Sequence, residues 1–328
     1  LMLLICNPGI RDRHWRSIET ITGLTIPVSP AMNLAQMTEL GLHHHVQAIE
    51  ETCVAASKEN TLEQGMDKME LEGQEMEFGL KAHKNTGTHI LTGIDEIQQL
   101  LDDHIVKSQA MSSSRFVKPF VERITSWEKT LNDLQEIIDN WLKMQSTWLY
   151  LEPIFSSDDI MRQMPTEGKL FRAVDSVWRE AMSQTLEVPG VITTAKREGL
   201  LEGLVEANRK LDVIQKGLND YLETKMIAFP RFFFLSNDEL LEILAETKEP
   251  RKVQPHMKKC FDGIHKLEFQ DNLDITACLD AKDERIPFEY EACNQKLINP
   301  NDSGGNVEKW LVEVEAIMKK SVAFTIDN

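Results

Sequence analysis

Few residues of this 328-residue chain have the types and spacing that chemistry needs. Asp102-Asp103-His104 sets two carboxylates beside an imidazole, a group that could relay a proton. No partner for it is identifiable in the sequence, so it reads as a solvated helix face. His43-His44-His45 offers three imidazoles near a break at Gly41. Adjacent residues point to different sides of a helix, whereas zinc favours i, i+4 pairs, so the triplet reads as a partly exposed polar turn. Cys6, Cys53, Cys260, Cys278 and Cys293 are far apart, odd in number and form no CxxC pair. That usage predicts a reduced, cytosolic compartment. Gly304-Gly305 runs on into Asn306-Val307 without the Gly-Lys-Ser/Thr of a P-loop. GxSxG, HExxH and GxGxxG are also missing, so catalytic, cofactor-binding and metal residues are all expected to be none.

Composition points the same way. Hydrophobic residues make up 41% and charged residues 27%, which describes a globular chain long enough for two or three domains or one elongated assembly of subdomains. The net charge of −17 argues against nucleic acid and against an anionic membrane as partners. Arg11, Arg13 and Arg16 form a local basic exception. Leu1 to Cys6 is too short for a signal or a membrane span, and the chain reads as a piece of something longer.

The elements that would position any site are mostly helices. Pro8-Gly9, Gly23, Pro27 and Pro30 break the first 30 residues, apart from a short amphipathic helix from Arg11 through Ile18 and Ile21. Helices are expected over Leu34–Glu59, over 61–84 and over Thr88–Gln109. The methionine-rich face of 61–84 suits a plain core or a promiscuous binding surface. Ile124, Trp127, Leu131, Leu134, Ile138, Trp141 and Trp148, with Gln145 as the polar member, make one seam on a helix of about eight turns. Leu151 to Phe155 is expected to leave that helix extended. Ser157-Asp158 caps a short helix closed by Pro165, and Thr166–Glu187 follows with a stripe of Leu170, Val174, Val177 and Ala181. Beyond Pro189-Gly190, Leu200, Leu204, Ala207, Leu211, Ile214, Leu218 and Tyr221 form a second long seam.

Phe229 to Leu244 holds the densest local signals. Pro230 stops the preceding helix, Phe232 to Leu235 reads as a short buried strand, and Ser236 with Glu239 forms a capping box. Leu235 and Leu240 are placed for a hydrophobic staple. Replacing Phe233 and Phe234 with Ala is expected to cost several kcal/mol. Residues 256–267 read as a short helix and 273–288 as a β-hairpin with a polar tip at Asp280 to Arg285. Val307 starts a last helix carrying Trp310, Leu311, Val314 and Ile317. The expected fold is mainly α, built of stacked helical bundles with a short strand and a hairpin near the C-terminal third. Its expected divisions are 1–118, 119–228 and 229–328.

Three ordered runs carry a resemblance. They are Arg11-Asp12-Arg13-His14-Trp15; Trp141-Leu142 through Gln145, Trp148 to Phe155, Asp159-Ile160 and Gln163-Met164-Pro165; and Phe229-Pro230-Arg231-Phe232 through Leu241. With Val307 to Glu315 they resemble the linker region of dynein heavy chains over nearly the whole sequence, in wording closer to axonemal than to cytoplasmic chains. The resemblance implies an elongated, arched, non-catalytic lever that bends and straightens over a ring of AAA+ modules. ATP and magnesium would belong to that ring in the parent chain. Implied partners are the ring modules in cis, with microtubules and other dynein chains reached through the parent protein; the implied location is the cytoplasmic cytoskeleton, in a cilium or flagellum axoneme. On this reading Pro153, Pro165, Pro189, Gly190 and Pro230 are candidate joints. Arg11, Arg13, Arg16, Lys282 and Arg285 are candidate ring-docking residues. The family usually carries a tryptophan near Gly73; here Gly65, Gly73 and Gly79 predict a loosely packed, mobile segment over 61–84. The rival reading is a non-motor helical scaffold that binds partners through bundle faces.

Overall fold

The computed structural model describes residue 4 and residues 6–26, 34–245 and 249–327. The breaks expected at Pro27 and Pro30 lie outside them. The fold is mainly α, as the patterning predicts, with two small antiparallel sheets, of which only the C-terminal one was expected. The chain divides into two compact units. One comprises residues 1–142 and 179–202, the other 143–178 and 203–328.

In the first unit, α1 (Asp12–Thr22) and α2 (Leu34–Glu39) lead through a 3-10 turn at Leu42–His45 into α3 (Val46–Glu75). Ile18, Ile26, Met37, Leu42, Ile49 and Cys53 form their common core. The helix expected over 61–84 stops at Glu75. A hairpin of β1 (Gly79–Ala82) and β2 (His89–Thr92) takes the segment that sequence patterning gave to two helices. The turn residue Gly87 and Gly93, just before α4 (Ile94–Ser112), both take positive φ, which lets the chain reverse and then re-enter a helix. Gly73 is no packing defect. A Cβ there would lie 2.9 Å from the Trp127 ring and 3.3 Å from Ile192, so its bare backbone is what admits the indole.

Helix α5 (Val121–Phe155) is the longest element, 35 residues or about 52 Å. Its seam is buried as expected, except that Met144 replaces Gln145: Trp141, Met144, Trp148, Leu151 and Phe155 keep the 3-4 step. The helix also continues through Pro153 to Phe155, where an extended exit was expected. Proline costs one backbone bond there, and burial of Leu151 and Phe155 outweighs it.

In the second unit, α6 (Asp158–Gln163) precedes α7 (Pro165–Glu187), whose Pro165 holds the first helical position. Ser157 precedes α6 without capping it; its hydroxyl donates to the Ala245 carbonyl at 2.9 Å. The α7 stripe is centred on Phe171, Val174, Trp178 and Ala181, shifted from the expected one by the larger aromatic residues. Trp148 and Trp178 stack at 5.1 Å, and Phe155 and Phe171 also at 5.1 Å. After α8 (Val191–Ala195), which belongs to the first unit, comes α9 (Leu200–Ala228), with its seam from Leu200 to Leu218 buried.

The C-terminal part of the second unit holds α10 (Asn237–Ala245), α11 (Gln254–Cys260), a three-stranded sheet and α12 (Val307–Asp327). The sheet runs β3 (Lys266–Phe269), β4 (Ile275–Leu279), β5 (Arg285–Pro287). The expected hairpin is β4–β5. Strand β3 replaces the end of the helix expected over 256–267, because Leu267 pairs with Cys278. Trp310, Leu311, Val314 and Ile317 are buried, as their spacing predicts.

Candidate functional site

The segment after α9 differs most from expectation. Pro230–Phe234 is a 3-10 turn, not a strand. Pro230 presets a helical φ, and the turn closes with Phe232 N–H donating to the Phe229 carbonyl at 2.9 Å. No neighbouring strand pairs with it among the described residues. Only half of its aromatic residues face inward. Phe229 and Phe232 are fully buried, meet edge-to-face at 5.0 Å, and Phe229 also meets Phe261 at 5.9 Å. Phe233 and Phe234 are 61% and 68% exposed, so they are surface residues and not the core pair expected. With Ile227, 65% exposed, they form the largest apolar side chains left open at this joint. A four-residue apolar run cannot reveal this division, because a 3-10 turn buries every third residue.

The capping box beyond it is formed. Ser236 N–H donates to Glu239 at 3.1 Å, and Glu239 N–H to the Ser236 hydroxyl at 3.3 Å. Lys259 donates to the same carboxylate at 2.5 Å and, with Ser236, holds its pKa down to about 2. Leu235 and Leu240 are both buried, as a staple requires. Arg231 ties the turn to its surroundings: it donates to the Cys260 carbonyl, lies over the Phe261 ring and pairs with Glu315 at 3.3 Å.

The other candidate joints are placed as follows. Pro153 is exposed near the end of α5, and Pro165 is exposed at the start of α7. Pro189-Gly190 lies between α7 and α8 and is bridged to residues 76–78. Phe78 N–H donates to the Pro189 carbonyl at 2.8 Å, and Val191 N–H to the Met76 carbonyl at 2.9 Å. Both bonds lie inside the first unit.

Three of the five candidate docking residues are already engaged within the chain. Arg11 pairs with Glu63 at 3.0 Å and Arg13 with Glu59 at 2.6 Å. Buried His14 joins Glu59 at 2.9 Å and accepts the Arg11 N–H at Nδ1, which fixes the ring. Arg285 pairs with Glu268 at 2.7 Å, which raises the arginine's pKa and lowers the carboxylate's. Arg16 and Lys282 are exposed and form no ion pair among the described residues. The sequence could not show which arginines were taken, since Glu59 and Glu63 belong to another helix.

The triad-like run resolves differently from its solvated reading. His104 is fully buried, with Nε2 3.1 Å from Glu72 on α3, whereas Asp103 pairs with Lys107 on its own helix at 2.5 Å. The His–Glu contact joins α3 to α4. His43 and His44 are exposed. No cluster of three or more His, Cys, Asp or Glu side chains among the described residues is placed to hold a metal ion. No described helix is long and apolar enough to cross a membrane.

The described residues thus show long helices with tryptophan seams, a capped aromatic joint and a small three-stranded sheet. All 328 residues match the family described as dynein heavy chain, N-terminal region 2. The chain belongs to the dynein heavy chain family. It is 48% identical over 322 residues to dynein axonemal heavy chain 3 of Homo sapiens, covering 98% of this chain and 8% of that protein. It is 45% identical over 316 residues to dynein axonemal heavy chain 1 of Mus musculus, covering 96% of this chain and 7% of that one. Dynein axonemal heavy chain 12 of Rattus norvegicus is 46% identical over 313 residues, covering 95% and 10%. This dynein segment therefore spans about a tenth or less of the length of these relatives.

Proposed function

We propose that this segment is the linker of an axonemal dynein heavy chain. On this reading it is a non-catalytic lever whose bending and straightening over the AAA+ ring turns ATP hydrolysis elsewhere in the parent chain into movement along microtubules. The observation that carries the reading is α5 together with α9. Helices of 35 and 29 residues, each burying an uninterrupted seam, are members that can bear load along their axes. Membership of a heavy-chain family supplies the motor setting. ATP and magnesium sites, microtubule binding and the other dynein chains belong to the parent protein. Exposed Arg16, Lys282, Phe233 and Phe234 are the side chains we assign to docking on the ring. We assign the joints to Pro153, Pro165, Pro189, Gly190 and Pro230.

Gly190→Pro in a full-length heavy chain tests the lever. Gly190 has φ −58°, which proline accepts, and a Cβ there would meet only the Thr193 side chain, at 3.3 Å, so the substitution stiffens the joint. Microtubule gliding that slows while the ATPase rate stays at wild type supports transmission through Pro189-Gly190. Unchanged gliding rejects that joint. A heavy chain whose gliding survives deletion of the whole segment rejects the lever.

A further inference from the structure

Among the described residues of the second unit, one ion pair is withdrawn from solvent on both sides. Lys225, near the end of α9, places Nζ 2.7 Å from Glu308 Oε1 in the first turn of α12. The two side chains are 10% and 8% exposed. Lys225 also reaches Asn306 Oδ1 at 3.4 Å and lies over the Tyr221 ring at 5.4 Å. One turn before it on α9, the Tyr221 hydroxyl donates to Gln163 of α6 at 2.5 Å. The chain of contacts thus joins α6, α9, the loop at 304–306 and α12.

Its energetics are poor for a stabilising element. Two desolvated charges recover their hydration only when every remaining polar position is satisfied. Here Glu308 Oε2 is buried and has no hydrogen-bond partner among the described residues. The loop that the pair holds also has room to move. Gly304 and Gly305 both take positive φ, at 62° and 87°. A cleft of about 400 Å³ opens beside them, lined by Asp159, Arg162, Gln163, Pro300 and Asn301, among others. The loop's own bonds, Asn306 Nδ2 to the Ser303 carbonyl and Ser303 Oγ to the Pro300 carbonyl, keep it a compact piece that can shift as a whole.

We propose that Lys225–Glu308 is a register lock: it selects one docking position of the 300–306 loop and the first turn of α12 on α9, and adds little to stability. An apolar contact of the same size would hold the elements together but would accept several alignments. A single charge facing its counter-charge accepts one. The inference stands on the second unit alone and does not depend on the lever.

Hydrogen exchange by mass spectrometry on the full-length heavy chain tests it with three variants. Lys225→Met and Glu308→Leu each strand a buried charge, and both should lose protection across α9 and α12. The double variant removes both charges. It should regain wild-type protection around Leu211, Ile214 and Leu218, while amides in 300–310 exchange about tenfold faster. Wild-type exchange throughout the double variant overturns the lock. A double variant as unprotected as the singles also overturns it, since the pair would then be an ordinary stabilising contact. Lys225→Gln with Glu308→Gln removes both charges while keeping polar side chains of similar shape, and serves if the first double variant does not fold. Faster exchange confined to 300–310 supports the lock, and wild-type exchange there rejects it.

Discussion

At the scale of residues, the four phenylalanines after α9 have opposite jobs. Phe229 and Phe232 are fully buried and meet each other, and Phe229 also meets Phe261. Phe229→Ala or Phe232→Ala should therefore destabilise the chain by about 3–5 kcal/mol in denaturant unfolding. Phe233→Ala and Phe234→Ala should stay within about 0.5 kcal/mol of wild type, since both side chains lie mostly in solvent. Glu239 gives a pH dependence with a definite sign. Lys259 and Ser236 hold its folded pKa near 2, below the ordinary 4.5. A depressed carboxylate stabilises the fold above its unfolded pKa, so this contribution disappears as pH falls from 4.5 through about 2. Glu239→Gln should be less stable at neutral pH and should lose less on acidification across that window. Urea midpoints at pH 6 and about pH 3 make the comparison.

Elements obey the same logic one level up. Gly65 and Gly73 both sit inside α3, where glycine costs roughly 1 kcal/mol relative to alanine. Their neighbours decide the outcome. A Cβ at Gly65 meets only the terminal methyl of half-buried Met111, a flexible chain end, so Gly65→Ala should stabilise by about 0.5–1 kcal/mol. At Gly73 it meets the buried Trp127 ring, which cannot retreat, so Gly73→Ala should destabilise by about 1–2 kcal/mol despite better helix propensity. Thermal melts of the two variants should move in opposite directions. The long helices were legible because their seams repeat over many turns: Ile124 to Trp148 and Leu200 to Leu218 are buried almost as spaced. The hairpin at 79–92 was not, because Leu80 and Ile90 also fit the helical stripes on either side. Strand β3 is hidden for a related reason: Leu267 looks like a helix end until its partner Cys278 is known. The 229–244 joint was half legible. Its capping box is local and therefore readable, whereas the division of the phenylalanines depends on Phe261, farther along the chain.

For the whole molecule, charge and family set the expectations. A net charge of −17 with a pI near 5.0 predicts no electrostatic attraction to anionic surfaces. The chain should therefore fail to co-sediment with phosphatidylserine vesicles or duplex DNA near physiological salt; binding that weakens as salt rises would refute this. Family was readable because ordered runs such as Trp148 to Phe155 recur as text, while the ion pairs that occupy Arg11, Arg13 and Arg285 needed coordinates. One packing detail has an optical side. The Trp148 and Trp178 indoles lie nearly parallel, with 16° between their planes, and both are fully buried. Two chromophores stacked this closely couple their transitions, and a twist of one indole over the other within the stack gives a dichroic band that neither tryptophan gives alone. The molecule thus carries its own unlabelled gauge, and a beam of polarised light can follow the contact of α5 with α7.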